Sequence, residues 1–77
     1  MVKIFNIIDD GFYIFAKFRT SNTNDEGYIK IEKKSKKRIE YYRPDSIYPL
    51  FGYTVYKKIV QMIDLNIYPV EETVAIY

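Results

Sequence analysis

Residues 54–64, Thr-Val-Tyr-Lys-Lys-Ile-Val-Gln-Met-Ile-Asp, carry the one clear helical period in this chain, and that period constrains everything else. Val55, Tyr56, Ile59, Val60 and Ile63 recur at the i, i+3/i+4 spacing of an apolar stripe, while Lys57, Lys58 and Gln61 fall on the opposite side. A helix of about three turns cannot bury such a stripe by itself, so the remaining sequence must supply a sheet to receive it.

The remaining sequence reads as strands. Residues 2–8 are rich in β-branched and aromatic side chains, and Asp9-Asp10-Gly11 follows as a turn whose glycine suits a positive φ. With those three residues as the loop and residues 12–19 as the return strand, one face collects Val2, Ile4, Ile8, Phe12, Ile14, Ala16 and Phe18, interrupted only by Asn6. This is the expected bed for the helix. The other face then carries Lys3, Phe5, Ile7, Tyr13, Phe15, Lys17 and Arg19.

Residues 20–27 are polar and turn-forming, and form an exposed loop. Asn24, Asp25 and Glu26 lack the alternating oxygen ligands of a calcium loop, so the loop is read as a connection. Residues 28–33 and 37–43 make a second hairpin whose register follows from charge. Pairing residues whose numbers sum to seventy sets Lys30 opposite Glu40 and Glu32 opposite Arg38 on the wet face. The same register sets Ile29 opposite Tyr41 and Ile31 opposite Ile39 on the dry face, each pair contributing ~0.2–1 kcal/mol.

Pro44 ends the last strand, and Pro49 and Gly52 argue against one continuous helix from Ser46. Thr54 is the expected N-cap, with Leu50 as an earlier start. Residues 73–77 have strand composition and would pair with an exposed sheet edge. The expected fold is therefore α+β: one domain over residues 1–77, a four-stranded antiparallel meander, one helix on a face and a fifth C-terminal strand.

Composition bounds the chemistry. There is no Cys and no His, which removes disulfides, thiolate metal sites and the commonest general acid or base. Three glycines at positions 11, 27 and 52 cannot build a phosphate loop. Asp9 and Asp10 before Gly11 are turn formers, and Glu71 and Glu72 are solvated charges at the start of a strand. The expectation is a protein that is not an enzyme and needs no cofactor or metal. With neither a leader-like segment nor an apolar run of membrane-spanning length, a cytoplasmic, non-membrane location is expected.

Two stretches stand out as candidate sites. The net charge is only +2, but residues 30–43 hold seven of the twelve basic side chains against Glu32 and Glu40. Lys33, Lys34, Lys36, Lys37 and Arg38 crowd the hairpin tip, where they would attract phosphates or an acidic partner, with Tyr28 and Tyr42 nearby to stack on bases. Lysines at such tips also simply keep sheets soluble. The second candidate is the apolar set Phe5, Ile7, Tyr13 and Phe15, on a face that a single helix leaves uncovered. Burial under residues 47–52, or closure into a barrel, are the other outcomes for that set.

The leading expectation is a small interaction protein that binds a protein partner and blocks or adapts it. Its size suggests a viral or mobile-element inhibitor of a host factor. The alternative is a nucleic-acid-binding module using the basic hairpin. A third reading is a homodimer or larger assembly built by pairing residues 73–77 between copies.

Overall fold

The computed structural model describes residues 1–75. Strands β1 (Val2–Asp9), β2 (Tyr13–Thr20), β3 (Gly27–Glu32) and β4 (Arg38–Tyr42) follow one another as a meander, then comes α1 (Pro49–Leu65), and β5 (Glu72–Val74) closes the order. The five strands form one antiparallel sheet in the order β4-β3-β2-β1-β5. The α+β meander with a fifth strand is thus the fold. β5 pairs with β1 of its own chain, Val74 opposite Val2, and the expected strand's last residues, 76 and 77, lie outside the described residues. The sheet stays open rather than closing into a barrel.

The core lies between one sheet face and the helix. Val2, Ile4, Ile14, Ala16, Phe18, Ile29 and Ile31 from the sheet meet Ile47, Val55, Ile59 and Met62, all buried. Each such large side chain contributes ~1.5–3 kcal/mol of burial. The helix buries Gly52, Val55, Ile59 and Met62, so its inner line starts one turn earlier than the sequence period suggests. Tyr56 and Ile63 flank that line, half-buried.

The helix also begins earlier than Thr54. Pro49 occupies its first turn, where a missing N–H costs nothing, and Tyr48 precedes it in an extended conformation. Thr54 sits inside the helix and donates its hydroxyl to the Leu50 carbonyl at 2.9 Å. At the other end Asn66 is left-handed, and the Asn66 and Ile67 N–H groups bond the Ile63 and Met62 carbonyls at 3.2 and 3.1 Å, a Schellman closure. Residues 47–52 pack on the helix side, through Ile47, and leave the opposite sheet face alone.

Two backbone irregularities change the expected registers. Between the pairs Phe5–Lys17 and Ile8–Phe15, β1 has two residues where β2 has one. Asn6, with φ of 51°, makes this bulge in the left-handed region that asparagine tolerates better than most residues. The bulge turns Ile7 to the core and Ile8 to the other face, reversing the expected placement of both. It also lengthens β1 to Asp9, so Phe12 leaves the strand and is exposed instead of joining the helix bed. On β4 the seventy register holds for Tyr28–Tyr42, Ile29–Tyr41 and Lys30–Glu40, then shifts so that Ile31 faces Arg38. Ile39 is the extra residue and is half exposed.

Among the described residues no helix is long and apolar enough to cross a membrane.

Candidate functional site

Two surfaces emerge, one on each side of the sheet. The helix-free face is built by alternation: Tyr13, Phe15, Lys17 and Arg19 on β2 and Tyr28, Lys30 and Glu32 on β3 point away from the core. Phe15 stacks with Tyr28 at 6.1 Å between ring centroids, and Tyr28 with Tyr42 at 5.8 Å, so three strands share one ring strip. Tyr28 and Tyr42 remain 39% and 50% exposed. Phe5 lies on the same face under the Arg19 guanidinium at 5.3 Å, and Tyr13 under the Lys30 ammonium at 4.6 Å. Of the four residues expected to form this patch, Phe5, Tyr13 and Phe15 come together. Ile7 does not, because the Asn6 bulge sends it inward.

The charges on this side are balanced. Lys3 pairs with Glu71 at 3.4 Å and Lys17 with Glu26 at 3.9 Å, and Lys30 stands opposite Glu40 in the register. With Arg19 and Glu32 included, this side holds four cations and four carboxylates, Arg19 and Lys30 lying over rings rather than in ion pairs.

The lysine-rich tip is not one surface. Residues 33–36 form its loop, closed by the Lys36 N–H on the Glu32 carbonyl at 2.8 Å and the Glu32 N–H on the Lys37 carbonyl at 2.9 Å. Lys36 takes a positive φ of 61°. Lys33 turns to the first hairpin, where its ammonium donates to both Asp9 oxygens at 3.0 and 3.1 Å and lies 5.1 Å from the Tyr68 ring centre. Asp9 is held below the usual carboxylate range by the Gly11 N–H and then by Lys33, and Asp10 by the N–H groups of Tyr13 and Phe12. The Asp9 carboxylate in turn pushes Lys33 above the usual lysine range. These two acids are the turn formers that the sequence implies.

Lys36 turns to the helix, pairing with Asp64, while its carbonyl accepts the Tyr56 hydroxyl at 2.7 Å. Lys34 is exposed. Lys37 and Arg38 open onto a cleft of about 710 Å³ between β4 and the first half of α1, lined also by Arg43, Tyr41, Tyr53 and Tyr56. Arg38 lies over the Tyr41 ring at 4.2 Å. Arg43 donates to the carbonyls of Ile47 and Pro44, the latter at 3.4 Å, which folds the β4–α1 connection into the cleft end.

This cleft is absent from the sequence-level expectation. Its signal is the i, i+3 spacing of Tyr53 and Tyr56, which a helix starting at Thr54 excludes and the earlier start at Leu50 includes. The acidic loop at residues 20–27 acts as a tether: the Ser46 hydroxyl donates to Asp25 at 2.7 Å.

No family model matches the chain, and neither curated proteins nor solved structures match it.

Proposed function

We propose that this chain is a non-enzymatic binding protein that occupies a surface of a protein partner with its helix-free sheet face, as an inhibitor or an adaptor. The observation that carries the reading is the ring strip Phe15, Tyr28 and Tyr42, with Phe5 and Tyr13 beside it, on a face where cations and carboxylates balance. Exposed aromatic area of this kind is seldom left unused, and tyrosine is a typical anchor residue at interfaces. A nucleic-acid partner favours a surplus of cations, whereas on this face cations and carboxylates are equal in number. The narrower form, a viral or mobile-element inhibitor of a host factor, rests on size and composition.

The test is capture by the tagged protein from lysate under nuclease and high salt. A discrete protein should be retained by the wild type and lost with Phe15→Ser, or with Tyr28→Ser and Tyr42→Ser together, while circular dichroism and melting stay unchanged. Anchor residues of this type cost ~2 kcal/mol or more, roughly thirtyfold in affinity. Retention by folded variants, or release on nuclease treatment, would refute the reading.

A further inference from the structure

On the other side of the sheet, the cleft between β4 and α1 has a different character. One wall, from the hairpin tip and β4, presents Lys36, Lys37 and Arg38, with Arg43 at the end. Of these four cations only Lys36 holds a carboxylate; Lys37, Arg38 and Arg43 have no ion-pair partner among the described residues. Three unneutralised cations around one concavity concentrate positive potential there, in contrast to the balanced face opposite.

The facing wall is aromatic. Tyr53 and Tyr56 project from successive turns of α1, and Tyr53 is 59% exposed. Arg38 is already held against Tyr41, so much of its ordering cost is met before any ligand arrives. A volume of about 710 Å³ falls in the ~300–1,000 Å³ range of small-ligand sites, so the cleft is suited to a unit of that size. Cations alone would fit any anion; cations facing an exposed ring, here Tyr53 with the Lys57 ammonium 5.5 Å from its centre, fit a phosphate that carries a planar group.

From this we infer that the cleft binds a nucleotide unit, a phosphate ester with a planar base, either as a free nucleotide or as one residue of a single strand. Arg38, Lys37 and Arg43 contact the phosphate and Tyr53 stacks on the base. The site does not depend on the sheet-face reading, because the two share no residue.

Fluorescence anisotropy with a labelled oligothymidylate of about eight nucleotides, a length within single-strand site sizes, tests it on the full chain. The wild type should bind with a log–log salt slope of about −2 for three phosphate contacts. Tyr53→Ala and Arg38→Ala should each weaken binding roughly 5- to 150-fold, the loss of one stacked base or its equivalent. Tyr53→Phe should restore most of the affinity, and Phe15→Ser should leave it unchanged. Tyr53 is exposed on the helix, so its truncation tests the site without threatening the fold.

Displacement by adenosine monophosphate assigns the free nucleotide; binding of the strand that this competitor cannot displace assigns the single strand. The inference is overturned if the oligonucleotide does not bind at low salt, or if the folded Tyr53 and Arg38 variants bind like wild type. It is equally overturned if inorganic phosphate displaces the strand as well as the nucleotide does, since the ring would then have no role.

Discussion

Replacing Gly52 with alanine should reverse the usual rule for helices. A glycine inside a helix ordinarily costs ~1 kcal/mol relative to alanine, so Gly52→Ala would be expected to stabilise. Here a β-carbon at position 52 would overlap the Tyr41 hydroxyl oxygen and stand 3.0 Å from Cζ and 3.4 Å from Cε1. The ring cannot swing away freely: it stacks on Phe18 at 6.3 Å and carries Arg38 on it. Overpacking of this kind costs ~1–3 kcal/mol, and disturbing the two ring contacts adds ~0.5–1.5 kcal/mol, against the ~1 kcal/mol gained in the helix. The net expectation is a loss of ~1–3 kcal/mol, a fall in melting temperature of roughly 4–8 °C per kcal/mol for a chain this short.

The Tyr41→Phe background removes the overlapping atom and leaves the 3.0 Å approach, which a few tenths of an ångström relieve. Gly52→Ala should there be neutral or stabilising by up to ~1 kcal/mol, giving a coupling energy of ~1–4 kcal/mol by urea unfolding of the four proteins. If Gly52→Ala stabilises by ~1 kcal/mol in both backgrounds, Tyr41 does not lie against the helix and the cleft floor is wrongly placed.

Two further perturbations address the backbone and the turn. Asn6→Gly should leave stability within ~1 kcal/mol of wild type, whereas Asn6→Val should lose ~1–2 kcal/mol, because a β-branched residue resists the left-handed conformation; thermal melts compare them. Asp9 and Asp10 ionise below their ordinary value of 3.8 in the folded chain, so their stabilisation is present above about pH 4 and lost as pH falls through their lower folded values. Asp9→Asn with Asp10→Asn should therefore flatten the decline of the urea midpoint as pH falls below about 4, and an unchanged slope would refute the carboxylate caps. Lys33 runs the other way: its contribution holds below its ordinary value of 10.5 and is lost as pH rises past it, and Asp9→Asn should remove that loss as well.

The parts of the fold that rest on alternation were legible. Val2 and Ile4, Ile14 to Phe18, and Ile29 with Ile31 declare a buried face two residues at a time, and charge declared the Lys30–Glu40 pairing. What failed to read were single-residue insertions in a register. Asn6 was visible as the break in an apolar alternation, but only its backbone angle tells whether such a break is a polar intruder or a bulge. Of the two expected helix starts, Leu50 falls within one residue of the observed one, and Thr54 falls late because Pro49 and Gly52 look like breakers. At the first turn proline is tolerated, and within the helix glycine makes room for Tyr41. Fold-level inference survives such errors, whereas site-level inference does not, since one residue of slip moves a side chain across the sheet.

Arg38 shows this most sharply. Had the seventy register continued along β4, Arg38 would stand opposite Glu32 on the same side as Tyr42, a neutralised pair on an already balanced face. The one-residue shift at Ile39 instead sets it opposite Ile31, on the helix side, over Tyr41, and leaves Glu32 to accept the Ser35 hydroxyl at 2.5 Å. The bulge therefore separates the cation from its predicted carboxylate and delivers it unneutralised to the cleft. Charge segregation between the two sides of this sheet is thus a property of backbone register, since in an unbroken ladder Arg38 would lie on the helix-free face and the cleft would hold one unpaired cation fewer. Deleting Ile39 should close the ladder with Arg38 next to Glu40 and still opposite Ile31, on the helix side, so oligonucleotide binding and the ring strip on the opposite face should both be kept. Loss of binding by a folded deletion variant would show that the extra residue itself, and not the register it sets, controls the cleft.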